Sequence, residues 1–487
     1  MPPETAFSRR GFLAGAVALV GGARLVPGAK AATLAPAAPH RFVSRPDLRP
    51  PVVAVNTASE TASAGHIFIA PFQITGKAGP GYGALILDGL GQPIWFKPEA
   101  TKTAMNLRVQ RYKGKPVLTW YEGDVLGGYG GDFVVADHSY REIARVKAGH
   151  GEHGDLHEFL LTSRGTALIT IYSNIPADLT SVGGSASGQL TEGVIQEVDV
   201  TTGKVLTEWR SFKDIGLDES FLPSLKNDVA DYFHLNSVGV DTDGHLLVSA
   251  RHTSAIYKLH RQTGAILWRL GGKRSDFTIV PGAEFSFQHD VRRHADGTLT
   301  IFDNNAAAPT STTHARPIRI ALDMSAMTAR LVAEFQPETP RVAWAMGNLE
   351  QLPDGGAFVG WGTAGAFTEF APDGTVRFDA TLADGSVTYR AFRAPWVGRP
   401  AEPPKVVVTR DAAGAVAHVS WNGATEVAKW RADMGSRQNA LRPIASARRT
   451  GFETALRLGS RSGYLAVTAL DAAGKALGRS SVHRLVP

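Results

Sequence analysis

Cysteine is missing from the whole chain of 487 residues. Disulfide bonds, thiolate metal sites and a catalytic thiol are therefore excluded. No segment reaches the roughly 18 consecutive apolar residues that a membrane-spanning helix needs. The sequence also contains no Gly-rich phosphate loop, no Gly-x-Ser-x-Gly elbow and no His-Glu-x-x-His helix, which removes the commonest nucleotide-binding, serine-hydrolase and zinc-protease interpretations.

Aromatic residues make up only 8% of the chain and charged residues 20%, whereas 43% of the residues are hydrophobic. This composition predicts a large globular protein and excludes a disordered or fibrous one. The 52 glycines and 28 prolines favour many turns between short strands over a few long helices. The net charge is +6, of which residues 1–31 contribute +3, so the remainder does not indicate a nucleic-acid-binding protein.

Residues 1–31 have the order of features that is typical of a twin-arginine export signal. Arg9 and Arg10 precede an apolar run of small residues that ends at Val20, and Ala29 and Ala31 provide the small residues of a cleavage site. The apolar run, about a dozen residues long, is too short to span a bilayer. The sequence therefore predicts export by the twin-arginine machinery to the periplasm, the cell surface or the medium, with residues 32–43 as a linker.

One pattern of a strand, a glycine turn and further strands recurs six times between residues 44 and 398, at intervals of about 40 to 60 residues. Glycine supplies the positive φ that a tight hairpin turn favours. These repeated strands predict an all-β fold, a six-bladed β-propeller. The recurring hairpins cover residues 86–95, 133–146, 198–209, 257–268, 318–335 and 367–378.

The glycine between the first two strands of a repeat sets a consistent register. In five repeats, His or Asn stands eight residues before this glycine, and a second set of residues stands seven residues after it. Because the inner strands of all blades line the central channel, we expect both sets to converge there. A purely structural role, as channel-lining residues hydrated by water, is the alternative. The first set is Asn106, His157, Asn236, His289 and Asn348, and the second is Tyr121, Tyr172, Arg251, Asn304 and Thr363.

Four segments around these positions carry a family resemblance: DYFHLNSV at 231–238, SARHTS at 249–254, LWRLGGK at 267–273 and FSFQHD at 285–290. They resemble the bacterial arylsulfotransferases, and the resemblance extends from about residue 44 to residue 398. It implies a six-bladed propeller that moves a sulfuryl group from an aryl sulfate ester to a phenolic acceptor. The implied route is a ping-pong reaction through a sulfohistidine, without a nucleotide, another cofactor or a metal.

The resemblance also implies the site residues. His289 occupies the Gln-His segment of the family pattern and would be the nucleophile. His234, Asn236 and Arg251 match the family's His-x-Asn-Ser-Val motif and the arginine that follows it. His157 is similar to the remaining family histidine, in a less distinctive context.

Sulfuryl transfer requires these residue types on chemical grounds as well. A neutral imidazole can attack sulfur and be expelled again, which divides one difficult displacement into two easier ones. Arg251 supplies a permanent positive charge for the sulfuryl oxygens, while His157, His234 and Asn236 supply directional hydrogen bonds. We expect the clustered positive groups to disfavour protonation of His289 and so to keep it nucleophilic near neutral pH.

Two other interpretations remain open at this point. His150, His153 and His157 are close in sequence, and imidazoles bind zinc or copper, although no recognised ligand spacing is present. The chain could also be an exported propeller that binds a sulfated or phenolic ligand without turning it over.

Members of the family can carry an N-terminal β-sandwich used in dimerisation. In this sequence the predicted export signal leads almost directly into the predicted propeller, so we do not expect the family's oligomeric state to carry over.

A proline-rich stretch at 399–404, RPAEPP, indicates a stiff linker after the propeller. Residues 405–487 contain short strand-like segments, with Trp421 and Tyr464 as candidate core aromatics. They resemble a small fibronectin type III-like β-sandwich. We assign this segment no catalysis and expect a spacer that packs on the propeller.

Overall fold

The computed structural model of the protein describes residues 38–75, 79, 81–124, 129–221, 228–306, 314–459 and 462–485. The predicted export signal at 1–31 lies outside these residues. Within them the fold is all-β, as predicted, with short 3-10 helices at Thr180–Val182, Ser211–Lys213, Leu217–Glu219 and Gly362–Ala364. No helix in the described part of the chain is long and apolar enough to cross a membrane.

The strands of the described residues are numbered β1 to β38 in chain order. Strands β1 to β10 are Val53–Ala58, His66–Ile69, Pro71–Phe72, Gly83–Leu87, Pro93–Pro98, Thr103–Tyr112, Lys115–Gly123, Tyr129–Ala136, Glu142–Val146 and Gly154–Asp155. Strands β11 to β20 are Phe159–Leu161, Thr166–Ala177, Gly188–Asp199, Val205–Arg210, Val229–Asp231, Leu235–Val240, Leu246–Ala250, Ala255–Leu259, Ile266–Gly271 and Thr278–Ile279. Strands β21 to β30 are His289–Arg293, Thr298–Asp303, Arg316–Asp323, Thr328–Glu334, Asn348–Gln351, Ala357–Gly360, Ala366–Phe370, Val376–Leu382, Val387–Thr388 and Phe392–Ala394. Strands β31 to β38 are Lys405–Asp411, Gly414–Ser420, Lys429–Gly435, Arg442–Arg448, Glu453–Gly459, Gly463–Leu470, Ala476–Arg479 and His483–Leu485.

Six antiparallel sheets, each built on four strands, follow one another along the chain. Sheet 1 has the order β30-β2-β4-β5, and sheets 2 to 6 are β6 to β9, β11 to β14, β16 to β19, β21 to β24 and β25 to β28. The short strands β10, β15 and β20 extend sheets 2, 3 and 5, and β1 pairs with the outer strand of sheet 6. This strand order is that of a β-propeller.

The sheets close into a ring through their first two strands. Strand β6 contacts β2 and β11, β16 contacts β12 and β21, β22 contacts β25, and β26 contacts β30. Sheet 1 is completed by β30 from the far end of the ring, because Phe68 in β2 pairs with Phe392 in β30. Each sheet therefore has a neighbour on both faces.

Apolar residues fill the space between every pair of neighbouring sheets. Val134 packs in the cluster between sheets 1 and 2, whereas the next residue, Val135, packs in the cluster between sheets 2 and 3. Because both faces of a sheet are covered, its strands read as continuous apolar runs, and all residues of β4 and β17 are buried.

The last eight strands form two further sheets, β31-β32-β35 and β34-β33-β36-β37, with β38 pairing β36. Their facing sides share one core that contains Trp430, so this part of the chain is a sandwich of two sheets. It packs on the ring, where the Asn422 side chain hydrogen-bonds to both backbone groups of Phe96 and the Tyr140 hydroxyl donates to the Gly423 carbonyl at 2.6 Å.

A buried charge network joins four of the six sheets at the centre of the ring. The Glu158 carboxylate, fully buried, contacts Arg108 at 2.7 Å, Arg292 at 2.5 Å and Arg390 at 3.2 Å. Asp290 contacts Arg292 at 2.7 Å and Arg390 at 3.4 Å. Burial alone would raise the pKa of Glu158, but the three guanidinium groups lower this pKa to about 2. The carboxylate is therefore charged at neutral pH and is the common partner of arginines from sheets 1, 2 and 5.

Replacing Glu158 by Gln should destabilise the ring strongly, because three buried guanidinium groups lose their shared counter-charge. Breaking a buried ion pair in this way costs about 3–5 kcal/mol, and the shift in the urea unfolding midpoint measures it. The matched control is Glu142→Gln, which removes an exposed partner of Arg145 and should cost less than about 1 kcal/mol. Equal effects of the two substitutions would contradict the central role of Glu158.

Candidate functional site

Three of the predicted site histidines meet at the centre of the ring. The His157 and His234 ring centroids are 5.1 Å apart. The Tyr389 ring lies 5.5 Å from the His157 ring and 6.3 Å from the His289 ring. Tyr172 stacks on His157 at 5.2 Å. His157, His234 and His289 come from three consecutive sheets: His157 and His289 flank Tyr389, and His234 lies beside His157.

Local irregularities in the inner strands direct these side chains. His234 has φ +55° and Asp290 has φ +53°, a backbone conformation that non-glycine residues rarely adopt. Strand β16 is irregular between Leu235 and Ser237, and β21 is irregular directly after His289. Such bulges locally change the direction of side chains and are common next to active sites.

Asn304 fixes the tautomer of His289. The Asn304 Nδ2 group donates to the carbonyls of Ala343, at 2.7 Å, and Met346, at 3.0 Å. Its Oδ1 atom must therefore face His289, whose Nδ1 lies 2.6 Å away and donates to it. The Nε2 atom then carries the lone pair, and the Met346 amide donates to it at 3.3 Å. His289 is thus a neutral imidazole with its lone pair on Nε2.

Burial and charge keep His289 neutral. Removal from water lowers the pKa of His289 well below its usual value, and the positive charge of Arg251 lowers it further. A carboxylate on Nδ1 would oppose this effect, but the partner there is the uncharged amide of Asn304.

The other two histidines have carboxylate partners instead. His157 Nδ1 lies 2.6 Å from Asp155 Oδ1, and His234 Nδ1 lies 2.5 Å from Asp231 Oδ2. Burial is the largest influence on His234 and lowers its pKa, while Asp231 opposes that shift. A carboxylate on Nδ1 orients the ring and stabilises an imidazolium that forms during proton transfer. His157 and His234 are therefore suited to proton transfer, whereas His289 is suited to nucleophilic attack.

Arg251 is held by uncharged partners. Its Nη1 group donates to His252 Nε2 at 2.8 Å, its Nη2 group donates to the Trp344 carbonyl at 3.3 Å, and its guanidinium lies 4.7 Å from the centre of the Phe287 ring. Within the described residues no carboxylate forms an ion pair with Arg251. Burial lowers the pKa of Arg251 to about 10, so the group stays protonated at neutral pH. Its positive charge is available to an anionic ligand.

Asn236, which we expected to supply a directional hydrogen bond, makes one to the backbone beside His289. Its Nδ2 group donates to the Gln288 carbonyl at 2.6 Å, directly before His289. The equivalent Asn106 donates to the Leu156 carbonyl at 2.7 Å, directly before His157. Both side chains therefore tie one sheet to the inner strand of the next, and the geometry makes Asn236 a positioning residue for His289.

Three residues of the site were missed by the sequence reasoning, although two of them lie in the segments that carry the resemblance and the third lies two residues before His157. They are Asp155, Asp231 and His252. The signal that could have found two of them is an aspartate two or three residues before a channel histidine, since such a spacing lets the carboxylate reach Nδ1. Asn304 belongs to the second set of the glycine register, the residues that stand seven positions after the glycine. Its contact with His289 shows that this member of the set orients a site histidine.

The group of described residues that is spaced to hold a metal ion is not the group of histidines that the sequence suggested. His150 lies at an exposed position against Glu208, and the described residues contain one group spaced to hold a metal ion, Asp231, His234 and His252. His252 Nδ1 donates to the Asp231 carbonyl at 2.5 Å, and His252 Nε2 accepts from the Arg251 cation. Both ring nitrogens have partners of matching polarity, and a second cation there would be repelled by Arg251. We therefore interpret the group as a hydrogen-bond network.

A β-propeller ring whose centre presents a neutral histidine, two histidine–carboxylate pairs and an unneutralised arginine has the groups needed for transfer of an anionic group. The family model for arylsulfotransferase (ASST) matches residues 108–383, more than half of the chain. The chain belongs to the arylsulfotransferase family. No curated relative matches the chain.

Solved structures share only a distant likeness with this chain. A protein of unknown function from Bacteroides caccae is 14% identical, with 68% of this chain and 100% of that chain covered and a TM-score of 0.43. A periplasmic gluconolactonase of Pseudomonas aeruginosa is also 14% identical, with 87% and 97% covered and a TM-score of 0.37. A virginiamycin B lyase of Staphylococcus aureus is 11% identical, with 73% and 95% covered and a TM-score of 0.32. These values do not bear on function.

His289 should remain neutral, with its proton on Nδ1, at pH 6.5 and above, because burial and Arg251 lower its pKa. NMR of the protein with ¹⁵N-labelled histidine measures this state, and the His289→Asn variant identifies the signals. In an Asn304→Asp variant the new carboxylate should raise the pKa of His289, so its imidazolium signal should appear nearer neutral pH. An imidazolium signal of His289 at pH 7 in the unmodified protein would contradict the assignment.

Proposed function

We propose that the protein is a nucleotide-independent arylsulfate sulfotransferase that transfers a sulfuryl group by a ping-pong reaction through sulfated His289. Family membership supports aryl sulfates as the substrate class. The observation that carries the proposal is the pairing of a buried, neutral His289 with the unneutralised charge of Arg251. His289, His157, His234 and Arg251 are the proposed catalytic residues, with Asn236 positioning the nucleophile.

In the first half-reaction, His289 Nε2 attacks the sulfur of the aryl sulfate donor. The N–S bond forms as the S–O bond to the aryl group breaks, and the leaving phenolate takes a proton from the imidazolium of the His157–Asp155 pair. Arg251 stabilises the negative charge on the three sulfuryl oxygens. A loose transition state of this kind depends mainly on positioning and electrostatics.

In the second half-reaction, the acceptor phenol loses its proton to the neutral histidine that the first half-reaction left behind. The phenol oxygen attacks sulfur, the N–S bond breaks, and the bonding electrons return to His289 Nε2. Asp155 stabilises the imidazolium that forms at His157. Protons and charges are then as they were before the first half-reaction, and no cofactor is consumed.

The domain organisation, the export route and the location stay predictions, and we propose them unchanged. Six sheets closed into a ring support a six-bladed propeller at 44–398. The division of the last strands between two sheets supports a small sandwich after the 399–404 linker, and the fibronectin type III-like relationship stays a proposal. The export signal and a periplasmic, cell-surface or secreted location rest on the sequence alone.

His289→Asn should abolish formation of the covalent intermediate. Mixing the purified chain with a chromogenic aryl sulfate, without an acceptor, should add one sulfuryl group to the intact mass, and later addition of a phenol should remove it. The matched control is His294→Asn, which changes a half-buried histidine that contacts Thr300 on the same sheet and should keep the mass gain. Release of phenol by the His289→Asn variant would place the nucleophile elsewhere. A propeller that only binds its ligand would show neither mass gain nor phenol release.

His252 should matter because it holds Arg251 without neutralising it. His252→Leu removes the acceptor for Nη1, and the misplaced guanidinium should lower kcat/KM for the aryl sulfate roughly ten- to a hundredfold. His252→Gln should keep most of the activity, since its amide can donate to the Asp231 carbonyl while its oxygen accepts from Arg251. Matching urea midpoints for the two variants would show that folding is not the cause. Equal losses of kcat/KM would contradict the orienting role.

A further inference from the structure

Charge is distributed very unevenly along the chain. Residues 405–487 hold thirteen lysine and arginine residues against five aspartate and glutamate residues, a net charge of +8, although the whole chain carries only +6. The first 404 residues are therefore net negative. The sandwich of β31 to β38 is a strongly basic body attached to a mildly acidic ring.

Five of the thirteen lysine and arginine residues of the sandwich lie on the outer face of its four-stranded sheet. Arg431 in β33 pairs with Ser446 in β34 and with Thr468 in β36, which in turn pairs with Arg479 in β37. Directly paired residues of antiparallel strands project from the same face. The opposite face carries the core residues, among them Trp430.

Two further rows complete this basic face. Arg448, Lys429 and Leu470 pair across the sheet on one side of the Arg431 row, and Tyr464 pairs with Arg484 near the other end. Lys429, Arg448 and Arg484 are exposed. We define the basic face by its five cations, Lys429, Arg431, Arg448, Arg479 and Arg484.

The basic face has one acidic residue among these paired positions, and it is already neutralised. Asp433 is buried, its carboxylate contacts Arg431 Nε at 2.8 Å and Arg479 at 3.7 Å, and it accepts from Thr468 at 3.2 Å. Four positive charges therefore remain in excess. Beside Lys429 and Arg431 the face has a shallow depression of about 280 Å³, closed on its other side by residues 443–446 and Leu470.

Among the described residues, no hydrogen bond or ion pair joins the ring to a cation of this face. The contacts of the ring reach Asn422, Gly423, Thr425 and Glu453 instead, which lie in β35 and in the segment after β32. Lys429, Arg448 and Arg484 are exposed with the ring present. An anionic partner can therefore approach the face.

We propose that the basic face binds a linear anionic polysaccharide, one that carries sulfate, carboxylate or phosphate groups along its chain. Charge complementarity supports an anionic partner, because the face has an excess of four cations on a flat sheet. The depression has room for a single sugar unit beside Lys429 and Arg431. Tyr464 is the one aromatic residue in these rows, whereas proteins that bind single-stranded nucleic acid stack successive bases on aromatic side chains. The exposed large apolar residues of the sandwich, Val407 and Val482, lie outside these rows and give the face no group to insert into a membrane.

The test uses the full chain and immobilised heparin as the sulfated polysaccharide, at an ionic strength of about 0.15 M. Replacing Lys429, Arg448 and Arg479 together by Glu should weaken heparin binding at least about tenfold, because each change turns an attraction into a repulsion. The matched control replaces three exposed lysines of the ring, Lys102, Lys115 and Lys147, by Glu, and should retain most of the binding. Sulfuryl transfer to a small phenol should be unchanged in both variants, which separates this proposal from the proposed function.

Three results would overturn the proposal. Equal loss of heparin binding in both variants would show a general effect of net charge. Tighter binding to phosphatidylglycerol vesicles than to heparin, abolished in the basic-face variant, would assign the face to a membrane surface. Tighter binding to a DNA oligonucleotide than to heparin would assign it to nucleic acid.

Discussion

Everything at the centre of this ring depends on one buried carboxylate. Glu158 directly follows His157 in the chain, and its oxygens hold Arg108, Arg292 and Arg390 from three other sheets. Arg390 also donates to the Asn236 carbonyl at 3.1 Å, which brings sheet 4 into the same network. Because an isolated charge is very costly to bury, these groups are stable only when all of them are in place. The network thus fixes the relative positions of the inner strands that carry the three site histidines.

The three site histidines differ in the type of partner that each Nδ1 atom has. In the proposed reaction, an amide on His289 leaves a neutral nucleophile, and carboxylates on His157 and His234 support proton transfer. The arginines differ in a similar way: those of the network are paired with carboxylates, whereas Arg251 is held by an imidazole, a carbonyl and an aromatic ring. The two groups proposed to act on the sulfuryl group, His289 and Arg251, therefore have uncharged partners.

The sequence was sufficient for the parts of the molecule that repeat. Glycine spacing placed His157 and His289 at equivalent positions on inner strands, and it also selected Arg251 and Asn304 for the second layer. It could not separate a ligand-facing side chain from one that ties two sheets, so Asn236 and Asn106 looked like the histidines. It could not show that Glu158, Asp290 and Arg390 meet either, because these residues are far apart in the chain and each has an ordinary local context.

The pairing of β2 with β30 has a consequence for how the protein acquires its site. Phe68 and Phe392 are neighbours in the sheet but lie more than 300 residues apart in the chain. Contacts of such long range form slowly, since a very large loop must close before any of its interactions are gained. Arg390, which joins the central network, arrives with that same last strand. The histidines are therefore synthesised long before the strand that completes their surroundings, and the centre of the ring is fully assembled only when the ring closes.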